Sequence, residues 1–205
     1  DTRIGMPLTK IRLNQFPRTS IDKYTTLILV SGSYNQLGKD EIKKIKKWVE
    51  KGNTLITIAR GSSWAINNEL IDENLVESKE DSTHSRKNYV DASGFIGRER
   101  IGGVILKADI DLTHPIAFGY NDNSIPVYKN NNVFINKTKD DYSSVAVYSD
   151  DFHIDGYISE SNRKDYIPGS ASLIVSKIGS GRVVVFADNP NFRGTWYGTN
   201  KLFLN

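Results

Sequence analysis

Two apolar runs flanking a lysine-rich amphipathic stretch form the clearest pattern in the chain. Residues 25–30 (TTLILV) and 53–59 (NTLITIA) are continuous and rich in β-branched side chains, which is typical of strands buried on both faces of a parallel sheet. Between them, KDEIKKIKKWVEKG spaces its apolar residues from Ile42 to Val49 at helical intervals, and Gly52 is a suitable helix stop. The pattern predicts a right-handed βαβ unit.

The rest of the chain alternates short apolar runs with polar turns. RGSSWAINNELI predicts a sharp turn into a short helix that Ser62 or Ser63 could cap. Residues 72–90 are highly charged and predict an exposed excursion. Further strands are predicted in IGGVILKADID, IPVYKN, NVFIN, SSVAVYS and DGYIS, followed by a β-hairpin in SASLIVSKIGSGRVVVFAD. The predicted fold class is α/β, a single domain over residues 1–205 with a β-rich C-terminal half.

Composition narrows the function classes. Lys plus Arg is 27 and Asp plus Glu is 24, giving a net charge of +3. The basic residues concentrate in KKIKKWVEK, which predicts a solvated helix face rather than a nucleic-acid footprint. The chain has no cysteine, which excludes disulfides, thiolate metal sites and a cysteine nucleophile. No apolar run approaches the roughly 20 residues needed to span a bilayer.

Catalytic and metal signatures are weak. The elbow TIARGSSWA lacks the G-x-S-x-G spacing of a serine nucleophile, although a small hydrolase using Ser62 or Ser63 with a distant histidine stays open. His84, His114 and His153 form no pair at ligand spacing. We therefore predict no catalytic residue and no metal ligand in this chain.

Binding candidates follow the predicted strand ends, where ligands bind in open α/β sheets. The loops SGSY, ARGSSW and DNPNFRG hold them, and Arg193 is expected to pair with Asp188 or with an anionic ligand. Two interpretations of the aromatic C-terminal stretch stay open: a buried lid over the core, and a glycan-binding platform of Trp196 and Tyr197. The predicted ligand-binding residues are Ser33, Tyr34, Arg60, Ser62, Asp188, Arg193 and Tyr197.

Several of these segments, in order, resemble one family. Four segments carry the resemblance: GSGRVVVFADNPNFRGTWYGTNKLFLN, YTTLILVSGSYNQLGKDEIKKIKKWVEKGNTLITIARGSSWAINN, GGVILKADIDLTHPIAFGY and DGYISE. Together they are similar to the C-terminal region of bacterial zinc carboxypeptidases of the carboxypeptidase A type, common in Bacteroidetes. In that family a metallopeptidase domain precedes a class I glutamine amidotransferase-like domain. The resemblance covers nearly the whole chain.

The resemblance implies a three-layer flavodoxin-like domain with a mainly parallel sheet, lacking its first strand and helix. It also implies a secreted or periplasmic parent that uses zinc to remove C-terminal residues from peptides. The family's zinc ligands and catalytic glutamate have no match here, and the amidotransferase cysteine is absent. The expected role is therefore a non-catalytic accessory domain that packs on the N-terminal peptidase domain or helps bind peptide substrate. A stand-alone glycan- or ligand-binding module is an alternative.

Overall fold

The computed structural model describes residues 5–77, 88–140 and 142–205, except for the side chains of Ala92 and Phe95. Its helices are α1 (Lys39–Glu50), α2 (Arg60–Asn67), α3 (Ala92–Glu99) and α4 (Asn200–Leu204). Its strands are β1 (Thr26–Leu29), β2 (Thr54–Ile58), β3 (Val104–Ile110), β4 (Ser124–Lys129), β5 (Ile135–Asn136), β6 (Ser144–Gly156), β7 (Ser170–Ile178) and β8 (Gly181–Phe186). No helix of this described part is long and apolar enough to cross a membrane.

One mixed sheet organises the fold, with strand order β1-β2-β8-β7-β6-β3-β4 and β5 paired to β7. β1, β2 and β8 are parallel, whereas β8, β7, β6, β3 and β4 pair antiparallel in turn. The predicted α/β class is confirmed, but the sheet is mixed rather than mainly parallel, because only β1, β2 and β8 run parallel. β1 lies at the sheet edge, where Leu29 is buried but Leu27 and Ile28 are only partly buried, so the predicted full burial on both faces is wrong.

The βαβ unit forms as its hydrophobic pattern predicts. α1 buries Ile45, Trp48 and Val49 and leaves its lysines at the surface. The Glu41 carboxylate accepts a hydrogen bond from the Gly38 N–H at 2.9 Å, which satisfies one of the free donors at the helix start. Gly52 follows the helix with φ +114, a conformation that favours glycine.

Two apolar cores lie on the two faces of the sheet. One face is covered by α1, α2 and the segment around Phe16, with Leu55 and Val183 at its centre. The other face is built around Leu106 and Phe186, and is closed in part by the chain beyond β8 through Leu202. The sheet therefore separates the helical layer from the layer that contains the C-terminal segment.

The C-terminal segment runs back along the outside of β4. The Phe192 ring stacks on the Tyr128 ring with centroids 4.1 Å apart, and the Trp196 indole N–H donates to the Pro126 carbonyl at 3.2 Å. Leu202 is buried, while Leu204 is exposed. The predicted buried lid over the core is therefore found only in part: Leu202 joins the core, whereas the Phe192 and Trp196 rings are half-buried against an edge strand.

The charged region after α2 differs from its prediction. Residues 72–77 run alongside β5 instead of leaving the domain surface. The Val76 N–H donates to the Phe134 carbonyl at 2.9 Å, and Leu75 forms a bridge with Ile135. Residues 78–87 of the predicted excursion lie outside the described residues. Tyr89 and Val90, beyond that gap, are exposed.

Candidate functional site

The carboxyl ends of β1, β2 and β8 meet at one edge of the sheet, because these three strands are parallel. In open α/β sheets this edge is where ligands bind. The edge carries the turn from β2 into α2, the loop after β1, and the residues that follow β8. These three segments form the candidate site.

A strained residue marks the turn into α2. Ala59 has φ 50 and ψ −113, a conformation disfavoured for residues with a Cβ, at a cost of roughly 1–3 kcal/mol. Its N–H donates to the Phe186 carbonyl at 2.8 Å, and its carbonyl accepts from the Ser62 N–H at 2.9 Å. The surrounding backbone therefore holds the strained turn in place.

Gly61 allows this turn to approach β1. A Cβ at this position would lie 2.6 Å from the Leu29 oxygen and 2.9 Å from the Val30 oxygen. Both are backbone atoms, so a side chain here would displace a strand end. The turn thus has the sharp strand-to-helix geometry that exposes nucleophiles in α/β-hydrolases, with alanine at the strained position.

Ser62 is a structural residue. Its hydroxyl donates to the Phe186 carbonyl at 2.7 Å and lies 2.9 Å from Thr57 Oγ1, and the side chain is fully buried. The prediction that it caps α2 is wrong, because β8 provides a partner that the local sequence does not reveal. Neither Ser62 nor Ser63 makes a side-chain cap at α2.

The two described histidines are engaged within their own segments. His114 Nδ1 accepts a hydrogen bond from the Ile116 N–H at 3.2 Å, and His153 Nε2 lies 2.7 Å from the Gly156 oxygen. His114 follows β3, which runs opposite to β8, so it lies at the other edge of the sheet from Ser62. His114 is therefore too far from the turn to act as a base for Ser62.

The loop after β1 contains two of the predicted ligand-binding residues, Tyr34, which is buried, and Ser33, which is exposed. The Tyr34 hydroxyl donates to the Val30 carbonyl at 2.7 Å, and its ring lies 5.4 Å from the Trp64 ring of α2. Burial raises the pKa of Tyr34 to about 12. Tyr34 therefore fixes the loop against α2. Ser33 is exposed, and so is Arg60 at the start of α2.

Asp188 anchors a buried polar cluster just beyond β8. Its carboxylate accepts hydrogen bonds from Lys129 Nζ at 3.1 Å, the Tyr148 hydroxyl at 2.5 Å and the Ser172 hydroxyl at 2.9 Å. Lys129 Nζ also donates to the Val133 carbonyl at 2.6 Å. All four side chains of the cluster are buried. The cluster joins β4, β6, β7 and β8 at this edge.

Burial controls the protonation behaviour of this cluster. Desolvation lowers the pKa of Lys129, and the Asp188 carboxylate opposes that shift. Desolvation, together with the Asp188 charge, raises the pKa of Tyr148 well above its usual value. The cluster therefore ties the ends of these strands together in the interior.

Arg193 does not pair with Asp188. Lys129 takes that place, and the Arg193 side chain is exposed, with its guanidinium 5.3 Å from the centre of the Phe192 ring. Tyr197 is 67% exposed and follows Trp196 along β4. Trp196 is half-buried near the Tyr128 ring, so of the two aromatic residues of the glycan-binding alternative only Tyr197 is largely exposed.

Sequence reasoning missed Lys129, Tyr148 and Ser172. One signal was present for Lys129: in SIPVYK the buried positions are Ile125, Val127 and Lys129, so the lysine occupies an inward-facing register. Within the described residues, no group of three or more His, Asp or Glu side chains could hold a metal ion. His84 lies outside them.

Comparisons with known proteins identify the fold. No protein-family profile matches this chain, and no curated protein matches it by sequence. A putative GMP synthase subunit from Thermoplasma acidophilum superposes with a TM-score of 0.51 at 15% identity, covering 90% of this chain and 71% of that one. PurLQS from Thermotoga maritima gives 0.50 at 16% identity, covering 91% and 80%.

A cytoplasmic protein from Salmonella typhimurium gives a TM-score of 0.51 at 12% identity, covering 96% of this chain and 74% of that one. Identities this low show the fold alone. The chain has a flavodoxin-like, glutamine amidotransferase-like α/β fold.

Proposed function

We propose that this chain is a non-catalytic accessory domain of a larger protein, built on the amidotransferase-like fold. The observation that carries the proposal is the turn at Ala59. The backbone there is held at φ 50 and ψ −113, the type of strained strand-to-helix turn that exposes a nucleophile in enzymes. The alanine methyl offers no nucleophilic or ionisable atom.

The side chains around this turn support the same proposal. The Ser62 hydroxyl is buried and donates to a backbone carbonyl, so it is not available to attack a substrate. The Asp188 carboxylate is enclosed with Lys129, Tyr148 and Ser172. The groups that carry acid-base chemistry in this region are thus used in stabilising the fold.

The parent protein in this proposal is a secreted or periplasmic zinc metallocarboxypeptidase. The support is the sequence resemblance over residues 24–68, 102–120, 155–160 and 179–205. Zinc would belong to the peptidase domain of the same polypeptide. The accessory domain would contact that peptidase domain, or the peptide substrate bound to it.

Exposed polar side chains near the carboxyl ends of β1, β2 and β8 would make that contact. Arg60 follows Ala59 at the turn, Ser33 lies in the loop after β1, and Arg193 lies beyond β8. Exposed arginines suit contact with carboxylate groups, because the planar guanidinium forms paired hydrogen bonds with them. The expected contact is therefore an acidic patch of the peptidase domain or a peptide carboxylate.

Covalent labelling tests the absence of catalysis. The protein is incubated with a serine-reactive fluorophosphonate and with a glutamine-analogue electrophile, and its intact mass is measured. We expect no adduct at a concentration that labels a known serine hydrolase and a known amidotransferase in parallel. A stoichiometric adduct that Ser62→Ala or Ser63→Ala abolishes would overturn the proposal in favour of an enzyme.

Paired arginine variants of the full-length protein test the contact. Arg60→Ala and Arg193→Ala should weaken docking of the peptidase domain, measured as domain separation by limited proteolysis, or should raise KM for peptide. The matched control is Arg182→Ala, because Arg182 is exposed at the opposite end of β8. Equal domain separation and equal KM in all three variants would rule out this edge of the sheet as the contact surface.

A further inference from the structure

The contact between Lys129 and Asp188 brings an amine and a carboxylate together in the interior of the fold. Lys129 Nζ and Asp188 Oδ1 are 3.1 Å apart, and the two side chains are 0% and 3% exposed. The fold creates this contact, because 59 residues separate the two side chains along the chain. The accessory function proposed above does not require any reaction at this pair.

The two carboxylate oxygens of Asp188 have different partners. Oδ1 faces Lys129 Nζ, whereas Oδ2 accepts hydrogen bonds from the Tyr148 hydroxyl at 2.5 Å and from the Ser172 hydroxyl at 2.9 Å. Fixed donors at one carbonyl oxygen stabilise the negative charge that develops there in acyl transfer. The carboxyl carbon is therefore polarised, and the amine lies on its other side.

Lys129 is the nucleophile that this site provides. Desolvation lowers the pKa of Lys129, although the Asp188 carboxylate opposes that shift. Lys129 Nζ lies 4.7 Å from the centre of the Phe134 ring and 5.7 Å from that of the Tyr148 ring. Both charges of the pair are costly in such surroundings, and transfer of one proton from Nζ to Oδ1 leaves an uncharged amine beside a carboxylic acid. A desolvated, uncharged lysine attacks carbonyl carbons.

We propose that Lys129 and Asp188 condense within the folded chain to form an amide bond between Lys129 Nζ and Asp188 Cγ, with loss of one water molecule. The ammonium group first transfers a proton to Oδ1. The nitrogen lone pair then attacks Cγ, and the π electrons of the carbonyl move to Oδ2, where Tyr148 and Ser172 donate hydrogen bonds. A second nitrogen proton passes to the Oδ1 hydroxyl, which leaves as water, and the electron pair on Oδ2 re-forms the carbonyl.

The product keeps the hydrogen bonds that are already present. Of the three ammonium hydrogens, two leave in the water and one remains on the amide nitrogen, so the reaction needs no co-reactant. The remaining N–H can donate to the Val133 carbonyl, which accepts from Lys129 Nζ at 2.6 Å, and Oδ2 keeps the Tyr148 and Ser172 hydroxyls as donors. The reaction thus removes two buried charges, whose desolvation is costly, without leaving their partners unpaired.

The fold also supplies proximity and excludes water. Strands β4, β6 and β7 and the residue after β8 hold the four side chains of the cluster. Such fixed geometry converts the encounter of two groups into a unimolecular step. All four side chains are buried, so the water that would hydrolyse the amide is excluded.

The experiment follows the intact mass of the purified, folded chain during incubation, with tandem mass spectrometry of its tryptic peptides. We expect a mass lower than the sequence mass by one water molecule, and one branched peptide that joins Lys129 to Asp188. Tyr148→Phe should form the bond about a hundredfold more slowly, because it removes one donor to Oδ2. Tyr157→Phe is the matched control, because Tyr157 is 60% exposed, and it should react at the wild-type rate.

A second source of water loss is separable from this bond. Asp155 precedes Gly156, and Asp-Gly sequences lose water by closing to a succinimide, which hydroxylamine cleaves. A hydroxylamine-resistant loss of water that maps to Lys129 and Asp188 supports the proposal.

The wild-type mass decides the outcome whether or not the variants fold. A mass that stays at the sequence value after prolonged incubation overturns the proposal, and so does a loss of water that persists in Lys129→Met. Equal rates in Tyr148→Phe and the wild type would overturn the polarisation of the Asp188 carboxyl group on which the step depends.

Discussion

Lys129 Nζ and the Asp188 carboxylate lie 3.1 Å apart in the interior, with side-chain exposures of 0% and 3%. Strand β4 provides the lysine, and the chain just beyond β8 provides the aspartate, 59 residues later. Desolvating two charges is costly, and their attraction compensates for it only when the remaining hydrogen bonds are satisfied. Tyr148, Ser172 and the Val133 carbonyl satisfy them here.

Removing one partner of this pair should be severely destabilising. Lys129→Met leaves the Asp188 carboxylate buried without its cation, and we expect a loss of about 3–5 kcal/mol in the free energy of unfolding. Urea denaturation measures this change. Lys51→Met is the control, because it breaks an exposed pair with Asp22 and should cost less than about 1 kcal/mol. Similar losses in the two variants would contradict the assigned role.

The strain at Ala59 predicts a stabilising substitution. Glycine accepts positive φ without a Cβ clash, so Ala59→Gly should raise the free energy of unfolding by up to about 1 kcal/mol. Ala65→Gly is the control of opposite sign, because Ala65 is a buried residue inside α2 and its replacement should destabilise by about 1 kcal/mol. Thermal unfolding followed by circular dichroism distinguishes the two. Destabilisation by Ala59→Gly would show that the turn is not strained.

The close approach of Gly61 to β1 predicts intolerance of a methyl group. Gly61→Ala places a Cβ 2.6 Å from the Leu29 oxygen, and we expect a destabilisation of about 1–3 kcal/mol, the usual range for overpacking. Gly94→Ala in α3 is the control, because no atom lies within 4 Å of its added Cβ and alanine favours the helix. Urea midpoints that move in the same direction for both variants would be inconsistent with this packing.

Tyr34 predicts a loss of stability at alkaline pH. Its folded pKa is about 12, above the ordinary tyrosine value of about 10. The native state therefore keeps the Tyr34 proton when the unfolded state has lost it. The contribution of Tyr34 is fully present below pH 10 and is lost as the pH rises from 10 through 12.

Melting temperatures between pH 9 and pH 12 measure this effect. Tyr34→Phe should flatten the decline above pH 10 relative to the wild type. Tyr142→Phe serves as the control, because Tyr142 is 82% exposed and its replacement should leave the slope unchanged. An unchanged slope in Tyr34→Phe would mean that the buried hydroxyl does not control the alkaline transition.

Local pattern is sufficient to predict the βαβ unit and the final hairpin. In α1, Ile45, Trp48 and Val49 reach the core through helical spacing alone. The turn between β7 and β8 follows from GSG, where Gly179 has φ +59 and favours glycine. These elements depend on contacts between residues that are close in sequence.

The polar contacts of the site depend on tertiary pairing. The sequence predicts that Asp188 pairs with Arg193, five residues away, but its partner Lys129 is placed by the sheet order. The sequence also predicts that Ser62 caps its own helix, but the Phe186 carbonyl of β8 accepts its hydrogen bond. In both cases a distant strand supplies a better buried partner than the local sequence does, and one sequence does not reveal that pairing.

The native mass of the polypeptide in its source cells tests the central proposal most directly. An antibody raised against this domain is used to isolate the native species, whose mass and peptide sequences are then determined. The proposal predicts a species several times larger than 23.0 kDa that contains a zinc-dependent peptidase domain. A stable native species of 23.0 kDa, with no peptidase sequence attached, would contradict it.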